Sequence, residues 1–190
     1  DVESRGLGDV YKRQIWIDAA ANFPDYANSK ENIAKDMEKI KAAGFTDIIV
    51  DVRPTTGDVL FNTNVVDQVK RMDVWGNSGY SYYERTETWD YLQAFIEEAR
   101  IQGLKVNASI NTFVGGYLCP YNLGHDGVLF RDESKKGWAS VANLADGLTN
   151  TMDLLDDETD YGAKFFNPAN DDVQNLSLIH ISEPTRLDVI

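Results

Sequence analysis

The fold of this chain is decided by residues 48–54, which have the sequence IIVDVRP. Alternation of side chains along a strand places Asp51 and Arg53 on one face and three aliphatic side chains on the other. Pro54 has no N–H group and therefore ends the strand. Charged side chains at the end of a buried strand are costly unless they are paired or used. In parallel α/β folds, this end of a strand is where ligands bind.

Two further strands are also apolar and carry a polar residue at or just after the carboxyl end. Residues 15–19 form a short apolar strand with Asp18 near its end, and residues 104–110 form a strand that is followed by Asn111. In all three strands one face is apolar, and the other becomes polar toward the carboxyl end. A barrel has an apolar outer face and a polar mouth, whereas an open doubly wound sheet needs two apolar faces. We therefore predict an α/β fold, a partial (β/α)8 TIM barrel made of the first three to four β/α units.

Helices are predicted between these strands. Ser29 is a suitable N-cap for a helix that extends to Ala43, and Gly44 is a suitable residue to end it. A second amphipathic helix is predicted over residues 89–102. A strand, a helix and a further strand in under forty residues are typical of a βαβ unit.

Two long segments, residues 54–88 and 111–163, are predicted to be loops. The first is rich in Gly, Asn and Ser and also carries aromatic side chains, including Trp75. Loops of this length in compact domains are usually functional or disordered, and the aromatic content argues against disorder. After the second segment, Asn167 and Pro168 predict the start of another helix.

The composition argues against several classes of binding partner and site. A net charge of −13 disfavours nucleic acid and anionic membranes, because both require a basic surface. No apolar run approaches the roughly 20 residues of a membrane span. The single cysteine, Cys119, excludes an internal disulfide framework and a multi-cysteine metal site.

Both ends of the chain look foreign to the fold. Residues 1–14 and 176–190 resemble translated sequencing adapter, so we expect non-native tails around residues 15–175, a piece of a longer protein. Without the tails, His125 is the only histidine. A His-based triad or a multi-histidine metal site then lacks its ligands. We therefore expect neither a metal nor a cofactor.

Six residues are candidates for substrate contact, because they lie at strand ends or in the loop after the second strand. They are Asp18, Asp51, Arg53, Asp58, Trp75 and Asn111. Each of the charged candidates also has a structural alternative. Asp18 could cap a helix, Asp51 and Arg53 could pair with each other, and Asp58 could form a turn. Trp75 could anchor its loop instead of stacking on a ligand.

Taken in order, these motifs resemble those of a known family. VRP at residues 52–54, INT at 110–112 and FNP at 166–168 resemble the bacterial glycosyl-hydrolase-like barrels of the tenth such family, related to the alpha-amylase superfamily. The likeness covers nearly all of residues 15–175, and Thr112 stands where the family commonly has proline. No single motif is very specific, but the series of motifs is.

The resemblance implies a (β/α)8 barrel that binds or cleaves polysaccharide and is usually exported to the periplasm, the cell surface or the medium. It also implies that the catalytic carboxylates lie on later strands. The six candidates would then bind or support the substrate. We expect a fragment of a glycoside hydrolase that is inactive by itself. The alternatives are a non-catalytic carbohydrate-binding barrel and a metal-dependent sugar-modifying barrel, and the scarcity of histidine argues against the latter.

Overall fold

The computed structural model describes residues 12–76, 79–119, 124–154 and 162–182. The helices and strands are, in chain order, β1 (Gln14–Ile17), α1 (Ala19–Tyr26), α2 (Lys30–Ala42), β2 (Asp47–Arg53), β3 (Arg71–Gly76), β4 (Gly79–Glu84), α3 (Tyr91–Ile101), β5 (Lys105–Ile110), β6 (Val114–Cys119), β7 (Gly124–Asp126), α4 (Val128–Arg131), β8 (Val141–Leu144), β9 (Gly147–Asn150), β10 (Gly162–Phe165) and α5 (Asp171–Ser182). Two 3₁₀ helices, Glu133–Trp138 and Thr151–Leu154, follow α4 and β9. None of the described helices has the length and apolar character that crossing a membrane requires.

The strands in the described part of the chain form four separate sheets. The strands β1, β2 and β5 form a parallel sheet in the order β1-β2-β5, and β10, β6 and β7 form an antiparallel sheet. The other two sheets are the antiparallel pairs β3–β4 and β8–β9. The protein is therefore mixed α/β, with the three predicted strands side by side.

The prediction of a partial (β/α)8 TIM barrel is wrong. A barrel would add a fourth parallel strand after β5, whereas β6 pairs antiparallel with β10 and β7. The described part of the chain shows no closure of the parallel sheet into a barrel. The error arises in residues 54–88 and 111–163, which contain paired strands instead of loops. Strands that are near in sequence pair at a low cost in loop-closure entropy.

The predicted start and end of α2 are confirmed. The Ser29 hydroxyl accepts a hydrogen bond from the backbone N–H of Asn32 at 3.1 Å. After the helix, Gly44 has a φ of 85°, a left-handed conformation that glycine adopts without strain. The helix therefore begins and ends where its capping residues predict.

The helices α3 and α5 begin later in the sequence than predicted. Asp90 caps α3 by accepting a hydrogen bond from the backbone N–H of Gln93 at 2.9 Å. Asn170, and not Asn167, caps α5, because its side-chain oxygen accepts from the N–H of Val173 at 3.2 Å. Several adjacent polar residues can cap a helix, so sequence alone does not select among them.

Two hydrophobic clusters stabilise the fold. The larger lies between the parallel sheet and helices α1 to α3, and it includes the fully buried side chains Ile33, Met37, Ile48, Val50, Val52 and Phe95. The smaller contains Val128, Leu129, Ala139, Met152, Phe166 and Val173. Val66 packs against both clusters, so it marks their junction. The apolar face predicted for β2 is confirmed.

Candidate functional site

The carboxyl ends of β1 and β2 bring two predicted residues, Asp18 and Asp51, close together. Asp18 is exposed and caps α1, since its carboxylate accepts a hydrogen bond from the N–H of Ala21 at 2.7 Å. Asp51 is half-buried and accepts from the N–H of Arg53 at 3.2 Å and from the N–H of Ala19. Backbone donors thus fix the orientation of both carboxylates.

The environment of Asp51 favours its protonated form. Burial raises the pKa of Asp51, and the negative charge of Asp18 raises it further, while the two backbone hydrogen bonds act in the opposite direction. Tyr91 lies within electrostatic reach of both carboxylates, and burial raises its pKa as well. Its buried hydroxyl has no hydrogen-bond partner among the described residues. Burial therefore raises the pKa of both Asp51 and the neighbouring Tyr91.

The raised pKa predicts how Asp51 affects stability at different pH values. A raised carboxyl pKa means that the folded protein binds the proton more tightly than the unfolded chain does. The resulting stabilisation is present below the unfolded pKa of about 4 and is lost as pH rises through the folded pKa. We expect Asp51→Asn, which cannot ionise, to become more stable relative to the wild type as pH rises from about 4 to about 7.

Urea unfolding of both proteins across this pH range measures the difference. Asp146→Asn is the matched control, because Asp146 is exposed in the turn between β8 and β9. A constant difference between Asp51→Asn and the wild type at every pH would contradict the expected linkage.

Arg53 is fully buried, and its guanidinium group contacts backbone carbonyl oxygens. Nε donates to Gly57 at 3.1 Å and Nη2 donates to Val114 at 3.1 Å. Nη1 donates to Asn111 at 2.5 Å and to Thr112 at 2.6 Å. Burial lowers the pKa of Arg53 to about 10, so the side chain stays charged at neutral pH. It ties the end of β2 to the segment between β5 and β6.

Asp58 is buried and forms an ion pair with Arg131 of α4. Both terminal nitrogens of Arg131 donate to the carboxylate of Asp58, and the Nη1–Oδ2 distance is 2.9 Å. A bidentate pair of this kind fixes both side chains. The pair joins the loop after β2 to α4, and it places Asp58 away from the exposed surface.

The remaining two candidates lie apart from the carboxylates. Asn111 is exposed, and its carbonyl oxygen is one of those that Arg53 contacts. The backbone of Trp75 belongs to β3, but its side chain lies outside the described residues. The structure thus brings Asp18 and Asp51 together and directs Arg53 and Asp58 into buried contacts.

Sequence reasoning missed an aromatic residue on the sheet face that carries Asp51. The side chain of Trp16 is 57% exposed on β1. The pairing register places Trp16 beside Ile49 and Ile49 beside Asn107, so the three form one row across the sheet. The next row contains Asp51 and Ser109. Alternation in β1 places Trp16 on the same face as Asp18, and this position is the signal that could have identified Trp16 as a candidate.

We call this surface the sheet face. It is defined by Trp16, Ile49, Asn107, Asp51 and Ser109. It combines an aromatic ring with amide, hydroxyl and carboxylate groups, which donate and accept hydrogen bonds. Asn107 uses one amide hydrogen for the carbonyl oxygen of Ile48, at 3.2 Å, which orients its side chain. The sheet face can therefore bind a ligand that has both apolar surface and hydroxyl groups.

The chemistry of the described residues is that of oxygen and nitrogen hydrogen-bonding groups. Within residues 12–76, 79–119, 124–154 and 162–182, no group of three or more His, Cys, Asp and Glu side chains is placed to hold a metal ion. The relationship to glycosyl-hydrolase-like proteins stays a prediction from the motifs. Neither protein-family models nor curated proteins match this chain.

Proposed function

We propose that this chain binds carbohydrate on the sheet face and belongs to an exported protein that cleaves glycosidic bonds in polysaccharide. The observation that supports the proposal is the row of Trp16, Ile49 and Asn107 beside Asp51. A sugar ring has an apolar face that suits an exposed indole ring and hydroxyl groups that suit amide and carboxylate oxygens. Strands hold these side chains in place, so a ligand loses little free energy in ordering them.

Binding is supported more directly than hydrolysis. Glycoside hydrolysis needs two carboxyl groups on either side of the scissile bond. Asp18 and Asp51 lie on adjacent strand ends, but both accept backbone hydrogen bonds that hold them in structural roles. Carboxylates other than these two would therefore perform the cleavage. A non-catalytic carbohydrate-binding protein is the alternative function, and the engagement of both carboxylates favours it.

The Trp16→Ala variant tests the binding surface. Loss of the indole ring is expected to weaken binding to polysaccharides about tenfold or more, because aromatic contacts dominate such surfaces. A glycan array first identifies a neutral polysaccharide that the wild type binds. Affinity electrophoresis on that polysaccharide then compares the variants.

Leu148→Ala is the matched control, since Leu148 is 72% exposed on β9 and also loses apolar surface on substitution. Equal binding by Trp16→Ala and the wild type would overturn the proposed binding surface. Release of reducing ends by an Asp18→Asn, Asp51→Asn double variant would support cleavage by other carboxylates. Since the fragment itself is expected to be inactive, binding by the wild type with no release of reducing ends agrees with both functions.

A further inference from the structure

A second surface of this protein is a groove of about 580 Å³. Residues 63–67 form one wall. The other wall consists of Val128, Arg131, Asp132 and Lys135, from α4 and the 3₁₀ helix that follows it. This volume lies in the range of small-molecule pockets.

The apolar part of the groove lies where the two hydrophobic clusters meet. Val66 packs against both clusters, and Val128 is buried in the smaller one. Both side chains line the groove, so its apolar surface rests on packed residues. A site on such a base keeps its shape before a ligand arrives.

Ion pairs hold three charged side chains of the groove, Arg131, Asp132 and Lys135. Arg131 is fixed by the buried Asp58, while 38% of the Arg131 side chain stays exposed. Lys135 pairs with Asp132 at 3.2 Å, and its amino group lies 5.4 Å from the centre of the Trp138 ring. Because these groups are already ordered, a ligand would lose less free energy in fixing them.

The balance of charge points to the class of ligand. Two cations, Arg131 and Lys135, line the groove together with two anions, Asp67 and Asp132. The net charge of the chain is −13, so an anionic ligand would meet long-range repulsion without a compensating positive site. Donors and acceptors are both present, which suits hydroxyl groups, since each can donate and accept.

We propose that this groove is a second carbohydrate site that holds an uncharged oligosaccharide segment by hydrogen bonds. The described residues that line it include no aromatic side chain, so its mode of binding differs from stacking on Trp16. The inference rests on the proposed carbohydrate function, but it concerns other residues. The two surfaces can therefore be tested separately.

The test is isothermal titration calorimetry with three neutral probes, cellohexaose, xylohexaose and maltohexaose. The groove variant is Asn64→Ala with Asp67→Ala, both exposed and both in the groove wall. Removal of these hydrogen-bonding groups is expected to weaken the groove site about tenfold or more. The control is Asn143→Ala with Asp146→Ala, which removes the same two groups from the exposed β8–β9 hairpin.

The groove site is supported if the groove variant loses affinity for a hexaose that the Trp16→Ala variant still binds. If binding is lost only in Trp16→Ala, the groove inference fails and the proposed function stands. If hexaose binding is lost only in the groove variant, binding on the sheet face is refuted and binding in the groove is supported. Absence of binding to all three hexaoses by the wild type overturns the groove inference, and failure on the glycan array as well overturns the proposed function. Preference of the groove for oligogalacturonate over the neutral probes would overturn the charge argument.

Discussion

We expect the Arg53→Met variant to lose about 3 kcal/mol or more of its free energy of unfolding. Methionine fills much of the same volume but donates no hydrogen bond. The carbonyl oxygens of Gly57 and Val114 would then be buried without their present partner, as the two bonds that Arg53 makes to them are buried. Urea unfolding followed by far-ultraviolet circular dichroism measures the loss.

Two further variants separate this effect from a general loss of charge. Arg53→Lys keeps the charge but carries a single donor nitrogen, so we expect it to be strongly destabilised as well. Arg100→Met removes an exposed arginine from the last turn of α3, and we expect a change of about 0.5 kcal/mol or less. Equal unfolding midpoints for Arg53→Met and Arg100→Met would show that the buried hydrogen bonds do not stabilise the fold.

The Gly127→Ala variant is expected to be destabilised by a similar amount, about 3 kcal/mol. Gly127 has a φ of 109°, which side chains rarely adopt. A methyl group there would meet the carbonyl oxygen of Thr56 and would lie 2.5 Å from the Cα of Gly116. Both obstacles are backbone atoms, so the loop after β2 or the strand β6 would have to move.

Gly137→Ala is the control for this substitution, because a methyl group at Gly137 would meet no heavy atom within 4 Å. Differential scanning calorimetry of the two alanine variants gives the comparison. We expect Gly137→Ala to melt close to the wild type and Gly127→Ala to melt well below it. A wild-type melting temperature for Gly127→Ala would mean that the loop after β2 and the strand β6 do not approach Gly127 closely.

Local signals predicted the parallel sheet and its first long helix. The alternation in residues 48–54 places Val50 and Val52 in the core, as observed. The cap at Ser29 and the left-handed Gly44 fix the ends of α2. Such features act within a few residues, so a sequence reveals them without knowledge of distant contacts.

The hairpins were missed because their glycines were interpreted as loop residues. Gly76 and Gly79 pair with each other at the ends of β3 and β4. Met72 and Val74 alternate with polar residues in β3 and are buried, which is the pattern of a half-buried strand. The alternation of a strand is present in β3, but the surrounding Gly, Asn and Ser residues favoured the interpretation as a loop. The barrel prediction rested on the polar ends of the three parallel strands, and among the described residues these strands do not close into a barrel.

The sequence predicted which face of the strands is polar, but it did not predict the partners of the side chains on that face. Asp58 contacts Arg131, which lies 73 residues further along the chain. Arg53 contacts carbonyl oxygens up to 61 residues away. No local spacing encodes such pairs, because they join segments that are far apart in the sequence. Carbohydrate binding by the six candidates stays a prediction.

In the folded protein, Arg53 joins two parts of the chain that are distant in sequence, as a disulfide does in many other proteins. Its side chain holds positions 53 and 114 together across a long intervening segment of the folded chain, whereas its hydrogen bonds break on unfolding and do not constrain the unfolded chain as a disulfide would. The chain has one cysteine and cannot form such a bond within itself. A guanidinium cross-link has no redox chemistry, so reducing and oxidising surroundings leave it equally intact.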